Sequence, residues 1–470
     1  MQDKFFHEDR FFNPDPGVRK IAREIYSSIK DSPIISPHGH VDPAIFAKNE
    51  PFPNPKELFI SPDHYIFRML YSQGITLEEL DIPDKNGNTK SLNPQKVWQL
   101  FGDNYYLYAG TPTGAWLDYE FSEVFGIKER LNGINAVEIY NEISEKLNST
   151  EFLPRALFEK FNIELLSTTD YATDSLIQHK SILESDWNGR IIPCFRPDAI
   201  TNLLDMNWKE NIEKLSALVN FELNSYKNYI EAIELRREFF KEMGATSTDH
   251  GVIEPFTHKL TKNKAEELFQ KALTGAITEE DAFLFNANML MEMARMSSED
   301  GMVMQIHPGS YRNHNEAVYE KYGADKGCDI PIRTEFTINL HELLNAYGNH
   351  PNLTVIVFTL DESVYSRELA PLAGHYPAMK IGPAWWFNDS IHGMTRFREM
   401  VTETAGFYNT VGFNDDTRAF LSIPARHDLS RRVDSNYLAG LVAKHIVSKT
   451  EAIKIAEDLT YNLVKSAYKL

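Results

Sequence analysis

The sequence predicts an α/β fold: a TIM-like (β/α)8 barrel with a mostly helical subdomain inserted between its first and second strands. Three observations predict it. Eight short β-rich runs recur along the chain, each ending in polar residues. Longer stretches with helix-like apolar spacing separate most of them, and one gap is too long for a single crossover.

The runs are PIISPHGH (33–40), IELLSTTD (163–170), RIIPCFRPD (190–198), GATSTDH (244–250), MVMQIHPG (302–309), LTVIVFTLD (353–361), MKIGPAWWF (379–387) and NTVGFNDD (409–416). Apolar runs bounded by turn residues suit parallel strands buried on both faces. The segments 208–243 and 282–300 place apolar residues among charges at helical spacing, as right-handed crossovers require. A doubly wound sheet is the competing arrangement, because order along the chain does not show closure. Residues of about 45–160, opening on the Pro-rich PFPNPKELF, form the expected insertion over one rim of a single barrel spanning 1–470.

Composition narrows the function. The chain has 470 residues, with 48 Lys and Arg against 67 Asp and Glu, a net charge of −19. That excess argues against nucleic acid or an anionic membrane as partner, and it means an anionic substrate must be met by a local arginine cluster. No apolar run reaches membrane-spanning length. The opening MQDKFFHEDRFF lacks an export signal, and Cys194 and Cys328 are too few for a disulfide framework, so a cytoplasmic location is expected. No nucleotide-binding glycine loop, H-E-x-x-H or G-x-S-x-G is present.

In a barrel the C-terminal strand ends carry the chemistry. Here they read His38 and His40; Asp170; Arg196 and Asp198; Asp249 and His250; His307; Asp361; Trp385; Asp416 and Arg418. His38 and His40, two residues apart on a strand, face the same side and can chelate a divalent ion with a carboxylate from another strand. The alternative is one barrel-lining histidine and one ordinary hydrogen-bonded one. His307 is a further ligand, an electrophile beside the substrate, or a loop cap. Asp249-His250 reads as turn structure more than chemistry. Arg196 and Arg418 suit bidentate capture of a carboxylate, or else pair with their neighbours Asp198 and Asp415. Trp385-Trp386-Phe387 is core or sugar platform.

Taken in order, Pro37-His38-Gly39-His40, Pro62-Asp63-His64-Tyr65, Thr168-Thr169-Asp170, Arg196-Pro197-Asp198, Ser247-Thr248-Asp249-His250, Gln305-Ile306-His307 with Arg312, Trp385-Trp386-Phe387-Asn388-Asp389 and Asp415-Asp416-Thr417-Arg418 resemble the uronate isomerases of the amidohydrolase superfamily. The resemblance runs almost end to end. It implies His38, His40 and Asp416 as ligands of one divalent metal, zinc or manganese, with His307 close by. It implies Tyr65, Asp416 and His38 as catalytic, and Arg196, Arg418, Trp385 and Arg312 as substrate-binding. Asp170-Tyr171-Ala172 departs from the family's Asp-Asp-Pro, and Asp415-Asp416-Thr417-Arg418 from its Thr-Asp-Ser-Arg. The first departure bears on substrate preference; the second keeps the key Asp and Arg.

The implied activity is isomerisation of a hexuronate to its 2-ketose through an enediolate, by a homo-oligomer. Tyr65 is expected to carry a lowered pKa beside cation and metal. A single-metal hydrolase acting on a lactone, amide or amine is the alternative. The superfamily's two-metal hydrolases use a fourth-strand lysine and a sixth-strand histidine; here those ends read Ser247-Thr248-Asp249-His250 and Thr359-Leu360-Asp361, so the resemblance implies a single metal.

Overall fold

The computed structural model of the chain describes residues 5–470; the first four residues of the MQDKFFHEDRFF opening lie outside the described residues. Seven of the eight runs form parallel strands, the eighth contributes a single parallel bridge, and their spatial order follows their order in the chain. Ile34–Ser36, Ile163–Ser167 and Arg190–Ile192 pair in sequence. The second and third runs extend as Asp170–Tyr171 and Phe195–Arg196, which pair with each other, and Phe195 opposes Thr248 of the fourth strand, Ser247–Val252. The series continues through Val303–Pro308, Val355–Val357 and Met379–Ile381, and Ile381 bridges in parallel to Thr410 of the eighth run.

The ends of the series meet. The backbone N–H of His40 donates to the Thr417 carbonyl at 2.9 Å, joining the eighth run to the first. The doubly wound alternative has no such contact between its edges, so the arrangement is the barrel.

Side chains inside the barrel form their own apolar layer, including Ile35, Leu165, Val303, Ile356 and Val411. One end is stoppered by the chain's last helix, Leu463–Tyr468, whose Val464, Ala467 and Tyr468 join that layer. Gly412 permits the approach: its φ is +79°, and a Cβ there would lie 2.5 Å from the Leu459 carbonyl oxygen.

Between the first and second strands the chain runs through helical elements only, from Ala44–Lys48 to Pro154–Lys160. They bury Phe59, Trp98, Phe101 and Phe121 in a second core that also takes Ile34 and Ile163 from the barrel. One of these helices, His64–Tyr71, faces the barrel mouth. Its first turn is fixed by Asp63, whose carboxylate accepts from the Tyr65 N–H at 2.8 Å. That cap aims His64 and Tyr65 at the strand ends.

Candidate metal-centred active site

The C-terminal ends of the strands enclose one pocket. His38, His40, Arg196, Asp249, His307, Trp385, Asp416 and Arg418 line it from the barrel, and His64 and Tyr65 from the helical segment. Arg312, Asp325 and Asp329 enter from the loop after the fifth strand.

At its floor His38, His307 and Asp416 each offer a ligand atom, all within 4.8 Å of one another. His40 Nε2 stands 3.1 Å from Asp416 Oδ1, and His38 Nε2 is 3.6 Å from the same oxygen. The His38 and His307 rings stack at 4.7 Å. Burial pushes the His38 imidazole down to about 4 against the pull of the Asp416 and Asp249 carboxylates, so it is neutral at pH 7, as a ligand must be. Burial works against the charge on Asp416, yet the surrounding His38, His40 and His307 hold its carboxyl well below the usual range.

The donor set fits a divalent ion. His307 Nε2 is buried with no hydrogen-bond partner, a costly state that coordination would relieve, and Asp416 Oδ1 has only the His40 contact at 3.1 Å. The other side of His307 is already tied: its Nδ1 shares a 2.7 Å hydrogen bond with Asp249 Oδ1, the outer contact that fixes a ligand ring. Trp385 Nε1 donates to Asp416 Oδ2. Asp416 itself has φ +39°, a strained value for a residue with a side chain and one that clusters at functional sites.

Several expectations need correction. Tyr65 does not carry a lowered pKa. Burial dominates and, with Asp389 and Asp416, raises its phenol well above the ordinary value; Arg426, 5.2 Å from the ring centre, opposes this and is outweighed. Arg418 does not pair with Asp415, which is engaged by His427 at 3.0 Å; it pairs with Asp325 at 2.8 Å. Asp249 is not mere turn structure: it bridges His307 and the Arg196 Nε, the latter at 3.1 Å. Its neighbour His250 points away and bonds Thr248 Oγ1 at 2.9 Å. Two strand ends miss the pocket lining. Asp170 accepts from Thr168 Oγ1 at 2.6 Å, and Asp361 caps a short helix through the Ser363 N–H.

Arg196 pairs with Asp198 as well as Asp249, each at 3.1 Å. Arg312 reaches Asp329 at 3.0 Å and lies over the Trp386 ring. Asp325 and Asp329 were invisible to pattern reading, because they sit in an aperiodic loop with no strand end to mark them.

The fold and site thus define an α/β-barrel protein with a pocket suited to one divalent ion and an anionic ligand. Comparison with known proteins makes this specific. The family model for glucuronate isomerase matches residues 4–468, and the chain belongs to that family. It is 54% identical over 462 residues to the uronate isomerase of Brucella canis, covering 98% of this chain and 99% of that one. The crystal structure of glucuronate isomerase from Caulobacter crescentus superposes with a TM-score of 0.97 at 53% identity, covering 99% of this chain and 97% of that one. The uronate isomerase of Thermotoga maritima does so with 0.92 at 27%, covering 99% of both chains. Among the described residues, no helix is long and apolar enough to cross a membrane, and both cysteines are free.

Proposed function

We propose that the protein interconverts aldose hexuronates and their 2-ketoses, D-glucuronate with D-fructuronate and D-galacturonate with D-tagaturonate. The observation that supports this is one pocket holding three arginines, a buried phenol and a charged carboxylate set among histidines. An acidic sugar needs the first, and moving protons between adjacent carbons and oxygens needs the other two.

Arg418 and Arg312 hold the substrate carboxylate, and Arg196 meets neighbouring hydroxyls. The protonation states divide the proton traffic. Asp416, charged, takes the proton from C2 of the open-chain aldose. The electron pair forms the C1–C2 double bond, and O1 receives a proton from the Tyr65 phenol. Tyr65 then recovers a proton from O2–H, the C2 carbonyl forms, and Asp416 returns its proton to C1. Tyr65 never starts as a phenolate, which agrees with its raised pKa. His38, His40, His307 and Asp416 would hold a divalent ion, zinc or manganese, which when bound would supply stabilisation of negative charge developing on the substrate oxygens. Trp385 fixes the Asp416 carboxylate, and neutral His38 keeps its place in the donor set. We place the enzyme in the cytoplasm, as a homo-oligomer.

Replacing Tyr65→Phe and Asp416→Asn tests the roles. Each is expected to cut kcat by about 10²–10⁴ while the thermal transition stays cooperative. Near parental isomerisation of glucuronate by both variants sinks this assignment.

A further inference from the structure

We propose that Tyr468, third from the end of the chain, is a positioning residue for the metal centre, acting through Gln305 from the far end of the barrel. This rests on reading His38, His307 and Asp416 as a metal site.

Tyr468 lies in the last helix, only 1% exposed, with its ring inside the barrel. Its hydroxyl donates to Gln305 Oε1 at 3.1 Å and accepts from Asn414 Nδ2 at 3.4 Å. Both partners occupy telling positions. Gln305 is two residues before His307 on the fifth strand, so the two side chains share the barrel's inner face. Asn414 is two residues before Asp416 on the eighth run. The nitrogen end of that amide, Gln305 Nε2, lies 3.5 Å from His38 Nδ1, 3.7 Å from Cys194 Sγ and 3.4 Å from the Thr248 carbonyl oxygen. One hydroxyl therefore touches the residues beneath two ligands and reaches the third through a single amide.

The helix is anchored so that this contact is kept. Lys465 Nζ reaches Glu164 at 2.7 Å on the second strand, and Lys469 Nζ donates to the Gly301 and Asn352 carbonyls at 2.8 Å. The stopper is pinned on both sides of Tyr468.

The chemistry favours a role beyond filling space. A phenol in an apolar layer brings a hydroxyl that must be satisfied, and phenylalanine fills the same volume without that demand. The orientation of the Gln305 amide is coupled to the tautomer of His38, because an amide N–H beside Nδ1 needs a lone pair there and the carbonyl end needs an N–H. For Nε2, the nitrogen facing Asp416, to coordinate, Nδ1 must carry the proton and Gln305 must turn its oxygen to it. Tyr468, able to donate or accept, satisfies the amide in either orientation. The terminal helix thus lets Gln305 follow the tautomer of His38.

Tyr468→Phe and Gln305→Met are the test, read by titrating zinc against a competing chelator and by the visible spectrum of the cobalt-loaded protein. Each variant is expected to lose about ten-fold in metal affinity, the usual scale for contacts behind a ligand, with a changed cobalt spectrum. Because Tyr468 acts through Gln305, the double variant is expected to bind metal no more weakly than Gln305→Met alone. With saturating metal, Tyr468→Phe is expected to regain the parental KM. Unchanged affinity and spectrum in Tyr468→Phe, whatever its thermal stability, overturns the proposal, as do additive losses in the double variant. A parent that binds no divalent ion overturns the metal-site reading and this inference together; a parent that binds, with variants that match it, overturns this inference alone.

Discussion

Asp325 places one carboxylate against both arginines assigned to the substrate carboxylate: 2.8 Å from Arg418 and 3.9 Å from Arg312. A hexuronate carboxylate arriving at Arg418 meets an internal anion already there. The pair is partly exposed to solvent, so its own strength is modest, of the order of 1 kcal/mol. Asp325→Asn is therefore expected to lower KM for glucuronate about two- to five-fold with little change in kcat, measured by steady-state kinetics. An unchanged or higher KM contradicts the competition. The same residue shows where pattern reading stops. Arg418 lines the pocket, but its partner lies 93 positions earlier in an aperiodic loop, and local sequence offers Asp415 instead. Tyr65 failed similarly: its motif was legible, but its pKa is set by burial, with Trp116 against its ring, and by the opposed charges of Asp389 and Arg426, on three separate elements.

At the scale of strands and helices, the eight runs were legible because strands buried on both faces must be continuously apolar until they reach the mouth. The strand ends were less legible, since successive side chains alternate in direction and only some point into the pocket. Asp170 shows the cost of the other outcome. At the end of the second run it is buried, and that burial raises its carboxyl to about 7, opposed by the Thr168 hydroxyl. The unfolded chain titrates near 4, so the stability its proton confers is complete below about 4 and is lost as pH rises through about 7. Asp170→Asn cannot lose a proton. It is expected to gain on the parent between pH 5 and pH 8, by about 2–3 kcal/mol. Melting temperatures at the two pH values measure this; an equal difference at both contradicts a buried, proton-holding Asp170.

Across the whole molecule, the acidic chain gathers cations at the barrel mouth, and the two ends of the barrel series meet beside the candidate metal ligands. His40 supplies a candidate ligand and also the N–H that joins the first run to the eighth, so closing the barrel and assembling the site are one event. That coupling explains why an H-x-H motif, weak on its own, becomes specific once Asp416 is known to lie alongside. The terminal helix left no mark in the motif pattern, because a buried tyrosine near a chain end resembles any other core aromatic.

Hexuronate isomerisation as proposed transfers protons at C2 and C1. Its most direct test follows purified protein with D-glucuronate in D₂O by ¹H NMR, before and after chelation. The expected result is growth of D-fructuronate signals, slowed by chelation and restored by zinc or manganese. No conversion of any hexuronate, with hydrolysis of a lactone or amide instead, contradicts it.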